Sequence, residues 1–414
     1  MTSRKVFVIG AGLAGLSASV ALAARGAEVE LIESAGQPGG RCRSYFDAGL
    51  GMTIDNGNHL LLSGNHATMA YLRTIGAEGA LIGPDHAHLA FTDLKTGKRW
   101  TIAANDGAFP LWLFDRAKRV PDTALFDYAG LLRIFAAGKD ETIGEALDCK
   151  GVLWDRLLEP FFLAALNTEP KTGSAALAAA LVRETFAKGG RAYRPRIAHP
   201  TLADAFIAPA LRYLANAPVH VRLGERLRRV ERIGARIAAL DVGEQRLELR
   251  EGDRVVLATP PWVTAELVPD IPCPNEFRAI VNAHFKFVPP KDAEPILGLL
   301  GGTAEWVFAF ADRLSVTVSA ADAIVDRPRE DLATCLWRDV AKAHGLAETL
   351  PSWQVVKEKR ATIAATPTQM RLRPKAKTKW KNLFLAGDWT DTGLPATIEG
   401  AIRSGQKAAD LAIA

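Results

Sequence analysis

Gly10, Gly12 and Gly15 set the first chemical constraint. They close the apolar run KVFVIG at 5–10 and open an alanine-rich stretch that reads as a helix from Ser17 through Arg25. In a strand–turn–helix the first glycine permits the tight turn, the second lets a pyrophosphate reach the backbone, and the third lets helix and strand pack closely. Amides at the helix start, those of Leu13 and Ala14 among them, then face phosphate. The next run, AEVELIE, reads as the neighbouring parallel strand and ends at Glu33, 18 residues beyond Gly15, with Ser34 beside it. A carboxylate there can accept both hydroxyls of an adenosine ribose. Glycines at this spacing are weak evidence alone; strand, helix and terminal acid together specify a dinucleotide site.

FAD and NAD share that fingerprint, so the choice between them comes from elsewhere in the chain. Gly39, Gly40 and Arg41 form a second glycine turn with a cation behind it, suited to a second approach to pyrophosphate and flavin. At 55–59, DNGNH follows that turn and should return the chain toward the flavin ring, which places Asn56 and Gly57 among the cofactor contacts. Near the end, NLFLAGDWTDTGLPATIEGAIRSG reads as a buried strand, a turn at Gly387–Asp388, and a closing helix from about Ala396. Asp388 can hydrogen-bond the ribityl or pyrophosphate region, and the amides around Thr397 and Ile398 can direct a helix dipole at the flavin's pyrimidine end. The segment from 219 to 261 alternates like strands and ends in VVLATPP, returning the chain to the nucleotide domain with Leu227 near the adenine and Thr259 beside the cofactor.

The 414 residues are enough for two compact domains, and 48% hydrophobic with 23% charged residues is ordinary globular composition. A net charge of +5, spread along the chain, specifies no nucleic-acid partner. Cys42, Cys149, Cys273 and Cys335 are scattered without a CxxC pair, and His86 and His88 lack further ligands, so neither a metal site nor a disulfide framework is indicated. The opening MTSRKVFVIGAGLAG puts a strand and glycine turn where a signal peptide would need its apolar stretch, and no apolar run reaches the length of a membrane span. A cytoplasmic setting is expected, with any attachment to the inner membrane peripheral.

Taken together, GAGLAG with Glu33, PGGR with Arg41, VVLATPP and the carboxyl-terminal motif resemble the flavin-containing amine oxidase and phytoene desaturase superfamily, over essentially the whole chain. DNGNHLLLSG and GDWTDTGLPATIEGAIRSG are most similar to its squalene-associated FAD-dependent desaturase branch, the hydroxysqualene dehydroxylases. The resemblance implies an α/β fold: a Rossmann-like FAD-binding domain of the glutathione-reductase type, amine-oxidase-like, with an inserted mixed-sheet substrate domain and a helical cap. The expected boundaries are 1–89, 196–270 and 376–414 for the FAD domain, 90–195 for the cap and 271–375 for the substrate domain. Amine oxidases place an aromatic residue just before the segment matching IEGA; Thr397 stands there in this chain, which disfavours an amine substrate. No second GxGxxG in strand–helix context marks an NAD(P)H domain, so the reductant or reductase partner is open.

The implied substrate is a long apolar isoprenoid, and the implied reaction is reductive removal of the hydroxyl of hydroxysqualene to give squalene, a step of hopanoid synthesis. For an allylic alcohol that means proton donation to the hydroxyl, loss of water and hydride transfer from reduced flavin. His59 is the candidate proton donor, on the premise of an ordinary histidine pKa, and Glu399 is a weaker candidate that can equally serve as a local cap. Trp112, Leu113 and Phe114 stand just before Arg116, Lys118 and Arg119, an order that suits shallow membrane contact and equally a core segment with a basic edge. Two rival readings use the same scaffold: oxidative desaturation of a carotenoid precursor, and a non-catalytic flavin-binding membrane scaffold.

Overall fold

The computed structural model describes residues 5–414. Its nucleotide-binding core is a five-stranded parallel sheet with strands in the order Val219–Leu223, Glu28–Glu33, Lys5–Ile9, Arg254–Leu257 and Leu383–Leu385. Val8 sits in register with both Leu31 and Val256, and Val255 with Leu383. The central strands read as unbroken apolar runs because both faces are covered; Val6, Val8, Val255 and Val256 are fully buried. Parallel pairing brings the carboxyl ends of four segments to one edge: Ile9, Glu33, Leu257 and Leu385. Such edges are where open α/β sheets bind ligands.

Two helices from opposite ends of the chain cover one face. The helix Leu13–Ala23 packs along the closing helix Ile398–Ile413, and the Ser17 hydroxyl donates to the Ile402 carbonyl at 3.0 Å. Gly405 lets them meet, because a Cβ there would overlap the Ala14 carbonyl. The expected starts at Ser17 and Ala396 shift to Leu13 and Ile398, since the glycine turn itself forms the first helical turn and Pro395 and Thr397 delay the second. An antiparallel ribbon of Leu227–Ile233, Arg236–Val242 and Gln245–Glu248 interrupts the nucleotide fold.

The second sheet has seven strands, ordered Trp353–Ile363, Phe277–Lys286, Arg313–Val318, Trp306–Ala309, Ile296–Leu300, Ala87–Asp93 and Arg99–Ala104. The substrate sheet therefore takes two strands from 87–104, and the boundary expected at 89/90 falls inside one of them. The hairpin is held there by parallel pairing of Leu297 with Ala90, a long-range contact with no local signature. The helix Arg329–His344 covers one face through Leu332, Leu336, Trp337 and Val340. The helices Glu159–Leu166 and Ala175–Glu184 form the body of the cap, sharing an apolar cluster with Trp306 and Phe308 of the sheet. No helix of the described residues is long and apolar enough to cross a membrane.

Candidate active site

At the edge where the parallel strands end, each motif glycine meets a different physical demand. Gly10 has φ +105°, and a Cβ on it would sit 2.7 Å from the Ala258 carbonyl oxygen. A Cβ on Gly15 would overlap the Gly10 carbonyl, so helix and strand can approach only without it. Gly12 is different: a Cβ there would meet nothing within 4 Å. It is the N-cap of the helix Leu13–Ala23 and offers no side chain to its amides. The first-turn amides of Leu13, Ala14 and Gly15, which have no intrahelical acceptor, face that open space.

Glu33 ends the neighbouring strand and is held in place by the amides of Ala11 at 2.7 Å and Ala35 at 2.8 Å, with the Ser34 hydroxyl at 3.1 Å. These bonds occupy both lone pairs of Oε1 and leave one on Oε2. The chain returns to this corner at Glu225, whose amide donates to the Glu33 carbonyl, and Leu227 packs into the cluster with Ile9 and Ile32. Glu33, Ser34 and Leu227 thus share the end suited to an adenosine.

The second glycine turn lies directly on the first. The Gly39 amide donates to the Ala11 carbonyl at 2.8 Å, and Gly40, at φ +55°, abuts the Cα of Gly12. Beyond it, Arg41 donates to the Asp388 carboxylate at 2.7 Å and to the Ala361 carbonyl on the substrate sheet. Its side chain keeps 44% of its surface, against 7% for that of Asp388. Burial opposes its charge, but Asp388 more than offsets that and holds the guanidinium above its ordinary pKa. Asp388 itself is 5% exposed. The Gly387 amide is fastened to the Ser404 hydroxyl, and the Trp389 indole donates to the Thr259 carbonyl at 3.0 Å, which joins AGDW to ATPP.

The loop 55–59 crosses beneath these groups. Buried polar side chains of the substrate sheet hold it: His284 bonds the Asp55 carbonyl at 3.0 Å and Ser315 at 2.8 Å, and Asn282 accepts from the Asn58 amide at 3.3 Å and from Thr317 at 2.7 Å. Gly57 passes against Asn282 where no Cβ would fit, and Asn56 reaches Glu358. The buried Oδ1 of Asn58 meets no donor. His59 lies within electrostatic reach of both Arg41 and Asp388. Burial and the Arg41 charge push His59 down to about 4, with Asp388 opposing, so the ordinary pKa expected from sequence is not what this environment imposes.

The closing helix begins at Ile398, with Thr397 as its N-cap; the Thr397 hydroxyl accepts from the Gly400 amide at 3.1 Å. The amides of Ile398 and Glu399 have no intrahelical acceptor and lie in a buried stretch. Glu399 is corrected as a proton donor. Its oxygens accept from the amides of Ala67 and Thr68, the Thr68 hydroxyl and Arg403, so it caps the helix His66–Thr74 and has no capacity left for a substrate.

Two buried charged groups leave no mark in the sequence. Arg373, 8% exposed, spans the loop after Asp388 by donating to the carbonyls of Asp388, Thr390 and Leu394 and to the Thr392 hydroxyl. Burial brings it down to about 10, with Asp388 and Asp391 opposing. It stands in the lysine- and arginine-rich run RLRPKAKTKWK, which reads as a solvated surface. Glu305 is the second: burial pushes it up to about 7 although the Ser319 amide donates to it at 2.8 Å. The Trp306 strand that follows Glu305 lies three strand spacings, about 14 Å, from the Ala361 strand that Arg41 touches, so Glu305 stands apart from the Arg41–Asp388 site.

An open glycine cradle at an uncapped helix start, an acid at the neighbouring strand end and a second buried helix start behind Asp388 are groups that fit FAD. Among the described residues no cluster of side chains gathers to hold a metal ion.

Comparison with known proteins agrees with that geometry. The chain is 52% identical over 413 residues to the hydroxysqualene dehydroxylase of Rhodopseudomonas palustris, covering 100% of this chain and 99% of that one. A probable zeta-carotene desaturase of Synechococcus elongatus is 23% identical, with 98% of each chain covered. A solved oxidoreductase of Methanosarcina mazei superposes with a TM-score of 0.73 at 14% identity, over 98% of this chain and 100% of that one, and shares the fold. Residues 13–413 match the family described as flavin containing amine oxidoreductase, and the chain belongs to that family.

Proposed function

We propose that this protein is an FAD-dependent oxidoreductase that reductively removes the hydroxyl of hydroxysqualene to give squalene. The observation that carries the reading is identity across both full lengths to an enzyme named for that reaction, more than twice that to the carotene desaturase. The site supports it: Thr397 serves as a helix cap in the position where amine oxidases place an aromatic residue, and the sheet face under the cap presents Trp306 and Phe308 within an apolar cluster.

Bound reduced flavin supplies the two electrons and the hydrogen that replace the hydroxyl. The chain's part is to bind, orient and keep water out. The Gly12 cradle and Glu33 hold the adenosine half, the Arg41–Asp388 pair holds the junction with the substrate sheet, and the amides of Ile398 and Glu399 favour negative charge at the pyrimidine end. The C–O bond breaks as a proton reaches its oxygen, which leaves as water. His59 is a proton-transfer group within electrostatic reach of the Arg41–Asp388 pair, and burial, pushing it down to about 4, makes its imidazolium the minor form at pH 7. From the apolar character of the proposed substrate we infer peripheral contact with the inner membrane.

The test is anaerobic incubation of purified protein and reduced FAD with hydroxysqualene and, separately, of oxidised protein with phytoene. Squalene from the first and no desaturation in the second is the expected result. Desaturated phytoene without squalene would move the protein to the carotenoid reading, and bound flavin with no substrate-dependent spectral change to the scaffold reading.

A further inference from the structure

The apolar side chains left on the surface are concentrated in one stretch of the cap. Phe109, Leu111, Phe114, Leu125, Phe126, Leu132 and Phe135 all lie exposed between 109 and 135, and Phe126 is 89% accessible. The expected anchor is rearranged: Trp112 is buried and packs edge-on against Tyr128 at 5.8 Å, so it is the bolt and not the probe. That contact, with the Tyr128 hydroxyl accepting the Val120 amide at 3.0 Å, places the turn Leu111–Phe114 beside the helix Leu125–Ala129. The helix has five residues, none buried, and a helix so short is not held by its own backbone bonds. Its apolar side chains need a second surface.

Charge indicates which kind. Three acids of this stretch are paired with cations within the protein, Asp106 with Arg194, Asp115 with Lys118, and Asp122 with Lys98 and Arg156, while Asp127 keeps its charge and caps the amide of Ala124. Arg116 and Arg133 are exposed, and neither has an ion-pair partner among the described residues. An apolar face carrying uncompensated cations complements an anionic lipid headgroup layer over acyl chains. Behind the face, the apolar cluster runs without a break from Trp112 and Ile134 to Trp306 and Phe308 on the substrate sheet.

We propose that the exposed face formed by the turn Leu111–Phe114, the helix Leu125–Ala129 and Leu132–Phe135 docks the protein on an anionic lipid bilayer. Phe109, Phe114 and Phe126 enter the acyl boundary and Arg116 and Arg133 meet the phosphates. Docking this face sets the cap, and the apolar interior behind it, against the phase that dissolves an isoprenoid.

The experiment is flotation of the FAD-loaded protein with vesicles of phosphatidylcholine, with or without phosphatidylglycerol, at low and high salt, alongside light scattering. Flotation with the phosphatidylglycerol vesicles is expected, weakening with salt. The double variant Phe114→Ser/Phe126→Ser should lose about tenfold or more of its bound fraction, and Arg116→Gln/Arg133→Gln the preference for anionic lipid. Retained flavin, and retained turnover of detergent-dispersed substrate, show that the double variant is folded. Absence of flotation on both compositions, or a double variant that floats like the native chain, overturns the proposal. So does a native dimer that the double variant converts to monomer without vesicle binding, which assigns the face to a second copy. Vesicle binding is read without turnover, so its failure is distinct from failure of the dehydroxylase reading.

Discussion

Arg41 and Asp388 stand 347 positions apart in the chain and 2.7 Å apart in the fold. The bond joins the second glycine turn to the loop before the closing helix, and the same guanidinium reaches the Ala361 carbonyl of the substrate sheet. One side chain therefore ties the two ends of the nucleotide fold to the substrate sheet.

Replacing Arg41 with Met should leave Asp388 buried without its cation. FAD affinity is expected to fall by about ten- to a hundredfold, read by titration of the apoprotein with flavin absorbance. Arg41→Lys should recover only part, because one ammonium cannot span both the carboxylate and the Ala361 carbonyl. Unchanged affinity in Arg41→Met would remove the pair from cofactor binding.

The motif glycines should separate by what an added methyl group meets. Gly15→Ala drives a Cβ into the Gly10 carbonyl and should lower the unfolding midpoint of the apoprotein. Gly12→Ala meets open space at an ordinary φ of −72°, so the apoprotein should unfold like the native chain while binding FAD about tenfold or more weakly. Equal losses of stability in both would contradict the distinct roles assigned to them.

Arg373→Met would orphan three backbone carbonyls in the loop from Asp388 to Leu394. A destabilisation of about 3 kcal/mol in denaturant titration is expected, together with faster flavin release. A variant that keeps both native stability and native flavin retention would show that the loop holds itself.

Proton donation has a signature in pH. With His59 at about 4, its donating form is scarce at neutrality, so a single-turnover rate routed through it should climb about tenfold per unit as pH falls from 7 toward 4. His59→Phe should abolish that climb while flavin is retained. A climb that persists unchanged in His59→Phe removes this histidine from the proton transfer.

The dinucleotide half was legible because its constraints are local. A parallel strand, a turn that only glycine can make and a helix start occupy consecutive residues, and Glu33 follows at the distance one crossover helix sets. The closing motif is legible for the same reason to within two residues: the start expected near Ala396 falls at Ile398, with Thr397 as its cap. The 87–104 hairpin was assigned away from its sheet because its partner strand lies some two hundred residues on, at Ile296–Leu300. The order of apolar and basic residues leaves Trp112 open between surface ring and core residue, because it does not reveal Tyr128 packed against it.

What the sequence by itself determined is the kind of cofactor and the two ends of the chain that hold it, since glycine sterics and helix amides act over a few residues. Only the tertiary structure decided the charge states and the anchors. Burial moves His59 down and Glu305 up, Arg373 becomes a strap inside a basic run, and Glu399 is spent on a distant helix start. These outcomes depend on how much water folding removes around each group and on which carbonyls and amides come to face it, and both are properties of the assembled fold.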